Sequence, residues 1–409
     1  MDTATNHLAR AQHLMNIHRF DAAIQELEQA LVFDPENTEG LHYLSVARYN
    51  IEDYKGGLAV AQQLLGKMPD NPHSHYCAAI NLEQLKRLDE AERHIREALS
   101  KDATDPDFYA VLSSIYMQRK MYDVALAFAE TGLESDPEHI GCLNYRTACL
   151  TKLGRKDDTQ KSVLETLAAS PDNAYSHTNV GWSKLETGDH KAAKQHFAEA
   201  LRLDPSLESA RDGMLEALKA NNFFYRYFLY YLFWMAKKTE RNQWVVILGL
   251  YFGTQFIGRY TADYPFLTPV FYVLVAFAFL TWVTQPLFNL ILRFDSVARH
   301  ALNQDERNAS TVVGVGIVGG ISAFVPYCMG VQRADYWFCV AIFFWFSMIP
   351  VSRYFMTKEM DLRRKVGIYA LVLLIIGGVS LVALPGLFKI FVYSFIGFQF
   401  VYNYWNSRS

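Results

Sequence analysis

Ser322 is the residue best placed for covalent chemistry in the apolar half of this chain of 409 residues. It stands in Gly320-Ile321-Ser322-Ala323, and a serine hydrolase needs a base within hydrogen-bond reach of its nucleophile. No histidine follows His300, so no Ser–His dyad can be assembled there, and Ser322 reads as a small polar residue at a helix contact. No His-Glu-x-x-His string occurs in the chain. His73 and His75, just after Pro72, could ligate a metal weakly, but the same pair suits a solvent-facing helix start. The 5 cysteines, Cys77, Cys142, Cys149, Cys328 and Cys339, show no paired spacing, which argues against a zinc site or a disulfide framework. The long apolar stretches lack the mid-length ionisable residues that a proton-coupled transporter needs. The expectation is a protein without enzymatic activity, metal or cofactor, whose chemistry is recognition.

The elements that would position a recognition surface are set by a period. Proline recurs every 34 residues at Pro35, Pro69, Pro137, Pro171 and Pro205, with Ala103 at the one lapse. A period of 34 closed by proline marks a helix–turn–helix repeat array. Small residues recur with it where paired helices must cross. One column reads Ala11, Ser45, Ala79, Ser113, Thr147, Gly181. A second reads Ala23, Gly57, Ala91, Ala125, Thr159, Ala193, and a third Ala30, Leu64, Ala98, Gly132, Thr166, Ala200, where only Leu64 is large. Thr147, Lys156, Thr159 and Thr166 make the fifth repeat the most degenerate. The period predicts about six repeats over residues 1–207, then an amphipathic capping helix at 208–221 carrying Ala210, Met214, Ala217 and Leu218 on its apolar side.

These prolines and small-residue columns resemble the tetratricopeptide repeat family. The resemblance implies a right-handed superhelix whose first helices line a groove for a peptide or partner protein. By the family's pattern His42, Tyr49, His73, Tyr76, Glu83, Asp107, Met117, Asn144 and Trp182 face that groove. Tyr49, Tyr76 and Trp182 suit packing between repeats equally well. The basic residues that family members use to clamp chaperone tails are missing, with His42, Tyr76 and Asn144 in their places. An extended peptide with apolar and basic side chains fits better. Residues 1–220 carry 23 basic and 34 acidic side chains, so nucleic acid is not an expected partner.

The second half, with 16 basic and 8 acidic residues over 221–409, has the composition of a membrane region. Residues 222–242 read as an aromatic helix lying at the membrane surface, with a further tilted or re-entrant span as the rival reading. Residues 243–409 hold six apolar stretches, near Trp244–Ile257, Pro265–Leu292, Thr311–Cys328, Tyr336–Phe355, Val366–Leu384 and Leu387–Tyr404. The expected fold class is all-α: a repeat superhelix fused to a polytopic bundle of about six spans. Arg226, Lys237, Lys238, Arg241, Arg293, Arg299, Arg307, Arg353, Lys358, Arg363, Arg364 and Lys365 fall on one side of such a bundle, against Arg259, Arg333 and Lys389 on the other. The positive-inside rule then puts both termini and the array in the cytoplasm. The amino terminus reads as a polar amphipathic helix and not a secretory leader, so the first span is expected to direct membrane targeting.

Gly316-x-x-x-Gly320, with Gly314 and Gly319, marks a close helix contact, inside the bundle or between subunits. Pro385–Gly386 predicts a tight hairpin, and Arg293–Ser310 an amphipathic loop helix. That loop, through Leu292, Arg293, Phe294, Asp295, Arg299, Ala301, Leu302, Asp305 and Glu306, resembles uncharacterised bacterial proteins that join tetratricopeptide repeats to a multi-span region. The resemblance implies a bacterial cytoplasmic membrane. The expected function is an adaptor that positions a protein partner at the bilayer and contacts another membrane protein or itself. The alternative is a channel, lipid-handling module or accessory subunit regulated by the array.

Overall fold

The computed structural model describes residues 3–294, 299, 301–383 and 386–406, and every regular element among them is helical. The chain divides into two compact units, Met1–Gly213 and Met214–Ser409. The first holds six helix pairs. They are α1 (Thr3–Asn16) and α2 (Phe20–Phe33), α3 (Thr38–Asn50) and α4 (Tyr54–Lys67), and α5 (Pro72–Gln84) and α6 (Leu88–Lys101). Then come α7 (Pro106–Gln118) and α8 (Tyr122–Ser135), α9 (Ile140–Leu153) and α10 (Lys156–Ala169), and α11 (Ala174–Glu186) and α12 (His190–Leu203). The next helix, α13 (Glu208–Lys219), begins in this unit and ends in the second.

The period acts through backbone chemistry. The first helices from α3 onward each start at a side chain that accepts a first-turn N–H: Asn37, Asn71, Asp105, His139 and Asn173. Before the turns between repeats, Asp34, Asp102, Asp136 and Asp204 accept the N–H two residues on. The three small-residue columns are buried throughout, Leu64 included. A Cβ at Gly132 would sit 2.5 Å from the Cys142 sulfur, so that crossing tolerates no side chain. In the fifth repeat the column threonines form a hydroxyl network. Thr147 Oγ1 lies 2.7 Å from Ser162 Oγ and 3.1 Å from Thr166 Oγ1, which replaces apolar packing by satisfied polar groups.

Between the helices of each pair one residue turns left-handed: His18, Glu52, Lys86, Lys120, Gly154 and Gly188. Only two of the six are glycine, and a side chain there costs about 1–2 kcal/mol. Glu52→Gly is expected to stabilise the array by up to about 1 kcal/mol, because the strain relieved exceeds the added chain entropy. A rise in the urea midpoint checks this; an unchanged or lower midpoint would show the strain to be absent.

The second unit holds α14 (Phe223–Ala236), α15 (Glu240–Tyr260), α16 (Leu267–Leu292), α17 (Gln304–Cys328), α18 (Ala334–Met356), α19 (Met360–Val382) and α20 (Leu387–Asn406). Among the described residues 4 helices, α16 to α19, are long and apolar enough to cross a membrane, which corrects the sequence expectation of six. The other two stretches are helical but less apolar. Arg241, Asn242, Gln243, Thr254, Gln255 and Arg259 dilute α15, while Lys389, Gln399, Asn403 and polar-tipped Tyr393, Tyr402, Tyr404 and Trp405 dilute α20. The glycine face of α17 packs inside the unit: added Cβ atoms at Gly316, Gly319 and Gly320 would meet Met348, Phe344 and Trp345 of α18. A capping box, Asn303 with Glu306, starts α17 well before its apolar run. Arg363 at the start of α19 makes a bidentate bridge to Asp305 at the start of α17, at 2.9 and 3.0 Å. On α14, Tyr225 and Leu229 are buried, and Tyr225 meets Phe288 of α16 at 4.6 Å. Phe223, Phe224, Tyr227 and Trp234 of α14 are exposed. Pro385, and residues 295–298 and 300 of the loop after α16, lie outside the described residues.

Candidate functional site on the concave face

The first helices pack side by side, α3 on α5, α5 on α7, α7 on α9 and α9 on α11, so one face of each joins a shared surface. Near the start of that surface the rings of His42 and His73 lie 6.0 Å apart, and Phe108 lies 5.7 Å from both His73 and Tyr76. His42 and His73 border a recess of about 280 Å³ floored by Leu64 and Met68. Burial, then His73, lowers the pKa of His42, so this ring is neutral at pH 7. Its Nδ1 lies 3.3 Å from the Cys77 sulfur, a thiol that burial pushes up to about 12 and so keeps from acting as a nucleophile. The exposed carboxylate of Asp107 lies 3.2 Å from His139 Nε2.

A second cluster surrounds Glu83. Its carboxylate accepts from Ser114 Oγ at 2.5 Å, from Gln118 Nε2, and from Gln84 Nε2 at 3.3 Å. Gln84 also reaches Tyr49 Oη at 3.4 Å. Burial raises the pKa of Glu83 against the opposing pull of Ser114 and Lys86. These bonds tie α3, α5 and α7 together, so Glu83 works first as an internal polar anchor.

His42, His73 and Tyr76 thus come together, as do Tyr49 and Glu83. Asp107 stands near Tyr76, and Asn144, Met117 and Trp182 stand apart. Asn144 is buried and donates to Ser176 Oγ at 3.2 Å, Met117 packs beside Leu126 and Leu150, and Trp182 meets Phe197 of its own repeat at 5.4 Å. Gln84, Gln118 and Phe108 were not singled out by sequence reasoning. Gln84 and Gln118 stand one period apart, and that recurrence was the available signal.

His73 and His75 turn to different neighbours. His75 points to its own repeat's second helix, with Nδ1 3.2 Å from His94 Nδ1 and Nε2 2.9 Å from the Pro69 carbonyl. Three repeats on, His177 meets His196 at 3.2 Å and the Pro171 carbonyl at 2.9 Å. Among the described residues no three His, Cys, Asp or Glu side chains converge as a metal site. Burial, then the facing ring, lowers the pKa of both His94 and His196. The fold therefore favours their neutral forms. The stabilisation is full above the unfolded value of about 6.5 and is lost as pH falls below it. The contribution of these two pairs to the thermal midpoint is expected to drop between pH 7.5 and pH 5.5, against an opposing gain from His139, which its hydrogen bond to Asp107 holds at about 10. His75→Tyr with His94→Phe, copying Tyr109 and Phe128 of the next repeat, should reduce that drop; an unchanged drop would place its cause elsewhere.

Residues 8–72, 52–115, 106–139 and 174–207 match family models described as tetratricopeptide repeat. The first unit is a superhelix of tetratricopeptide repeats, and its degenerate fifth repeat is the stretch those matches leave out. Among curated proteins, the chain is 22% identical over 199 residues to Protein O-mannosyl-transferase TMTC1 of Homo sapiens, covering 48% of this chain and 22% of that one. It is 21% identical over 240 residues to the Hsp70-Hsp90 organizing protein of Triticum aestivum, covering 50% and 41%. The chain thus spans less than half the length of these two relatives. A solved tetratricopeptide repeat protein from Parabacteroides merdae is 14% identical, with a TM-score of 0.47, covering 53% of this chain and 84% of that one.

Proposed function

We propose that this protein is a non-enzymatic scaffold that binds a protein partner in its repeat groove and holds it at a membrane. The observation that carries this reading is one chain that joins a tetratricopeptide-repeat superhelix to 4 long apolar helices. The accessible part of the groove combines His42, His73 and Tyr76 with the exposed carboxylates of Glu39 and Asp107. That surface suits an extended segment with apolar and basic side chains. The basic residues of a chaperone-tail clamp are missing from this groove, with His42, Tyr76 and Asn144 in their places. The test is fluorescence anisotropy with labelled ten-residue peptides and the full chain in mild detergent. Glu39→Lys with Asp107→Lys should weaken Lys- and Arg-containing peptides about tenfold or more. Equal binding by the variant would overturn the groove assignment.

Arg293 and Arg307 flank the α16–α17 connection, and Arg353, Arg364 and Lys365 flank the α18–α19 connection, which we assign to the cytoplasmic side. The side taken by the array turns on α15. With α16 to α19 as the spans the array lies opposite that basic side; a crossing by α15, long enough at 21 residues but less apolar than the other four, would put it on the same side. Protection of an amino-terminal tag from protease added to intact cells would show that crossing; digestion of the tag would exclude it. The exposed aromatic face of α14, beside Lys237 and Lys238, we assign to the headgroup layer.

A further inference from the structure

A cavity of about 670 Å³ opens between α18 and α19 at the end where they meet. Its walls are Val351, Tyr354 and Phe355 of α18 and a stripe of α19 that runs from Arg364 over Gly367 to Leu371 and Leu374. Along a helix, ten residues rise about 15 Å, which is about one leaflet of a bilayer's hydrocarbon core. Gly367 keeps the stripe low at its centre; a Cβ there would already lie 3.0 Å from the Tyr354 ring. The two ends of the groove differ in chemistry. Leu371 is exposed on the apolar stripe and Arg364 is exposed at the rim, while Lys365 is exposed on the adjoining face of the helix, outside the lining. Arg363, beside them, is held by Asp305 and lies 4.9 Å over the Tyr354 ring, so its charge is already matched. No ion pair among the described residues engages Arg364 or Lys365, and Asp361 is the acidic group on the same rim.

We propose that this groove is a binding site for an anionic glycerophospholipid, with the phosphate at Arg364 and one acyl chain lying over Gly367 towards Leu374. It rests on the membrane reading given above. Charge complementarity and the one-leaflet length select this occupant over a free phosphate, which would leave the apolar stripe uncovered, and over a zwitterionic lipid, whose headgroup cation would stand against the Arg364 guanidinium.

The experiment uses the full chain, purified in mild detergent and offered dioleoyl-phosphatidylglycerol, dioleoyl-phosphatidylcholine or inorganic phosphate. Retained lipid is counted by native mass spectrometry. Phosphatidylglycerol should be retained about tenfold over phosphatidylcholine, and millimolar phosphate should not displace it. Arg364→Ala should erase the headgroup preference, and Leu371→Trp should exclude both lipids. Circular dichroism checks that each variant keeps its helical content. Equal retention of the two lipids by the unmodified chain, displacement by phosphate, or undiminished binding by Leu371→Trp would overturn the site. Alkaline carbonate extraction of cell membranes tests the underlying reading separately. A chain that resists extraction but shows no lipid preference refutes the site alone; an extracted chain refutes the membrane reading.

Discussion

Phe197→Ala is expected to cost the array about 3–5 kcal/mol, the range for emptying a fully buried aromatic position. Phe197 is 0% exposed on α12 and closes the last repeat. Its ring meets Trp182 at 5.4 Å, and it fills the space that two glycines leave open. A Cβ at Gly181 would stand 2.7 Å from the ring, and one at Gly213 on α13 would stand 2.2 Å from it. The ring therefore packs against two helix backbones, and neither backbone can supply a side chain to fill the void. In a repeat array each unit contacts only its neighbours, so the loss should stay local at first. Amide exchange should rise in α11, α12 and the start of α13 before it rises in α3 to α7. Leu164→Ala, at an exposed position on α10, should stay within about 0.5 kcal/mol and serves as the control. A urea midpoint for Phe197→Ala close to that control would mean that the last pair is not part of the cooperative unit.

The repeat unit was legible because its determinants are local and periodic. Prolines and small crossings recur at 34 residues and can be read without knowing what lies across the groove, whereas four of the six left-handed turns fall on residues other than glycine and leave no such mark. Burial within the groove was less legible. Glu83 and Asn144 occupy groove positions by family pattern yet are 4% and 8% exposed, because Ser114 and Gln118 cover one and Ser176 receives the other. A period assigns a face to a residue but not the side chains of the next helix that will cover it. In the second unit, hydropathy runs located the helices but blurred two distinctions. Aromatic residues with polar tips made α15 and α20 resemble full spans, and the apolar run near Thr311 hid a helix that begins at Gln304. The capping box at Asn303 and Glu306 was present in the sequence and marks that start.

Gly320→Leu is expected to be the most damaging single change in the second unit. An added Cβ would lie 2.0 Å from Trp345 Nε1 and 2.7 Å from Trp345 Cε2, far inside contact distance. Gly316 and Gly319 meet Met348 and Phe344 in the same way, so α17 presents backbone to a row of large side chains on α18. Helices in lipid gain little from apolar burial and depend on such close packing, which makes the steric term decisive. Overpacking of this kind costs about 1–3 kcal/mol or more, because the indole must leave its place and the helices must separate. A change on the exposed side of α17, Val318→Leu, alters the same helix away from the α18 contact and should be nearly neutral. Trp345→Ala alone leaves a cavity; combined with Gly320→Leu, it should recover part of what either change loses, because the new leucine enters the space the indole vacates. The measurement is the detergent-resistant thermal midpoint of the four proteins in a double-mutant cycle. A coupling of about zero would mean that Gly320 and Trp345 do not touch, and the α17–α18 interface would then have to be built from other residues.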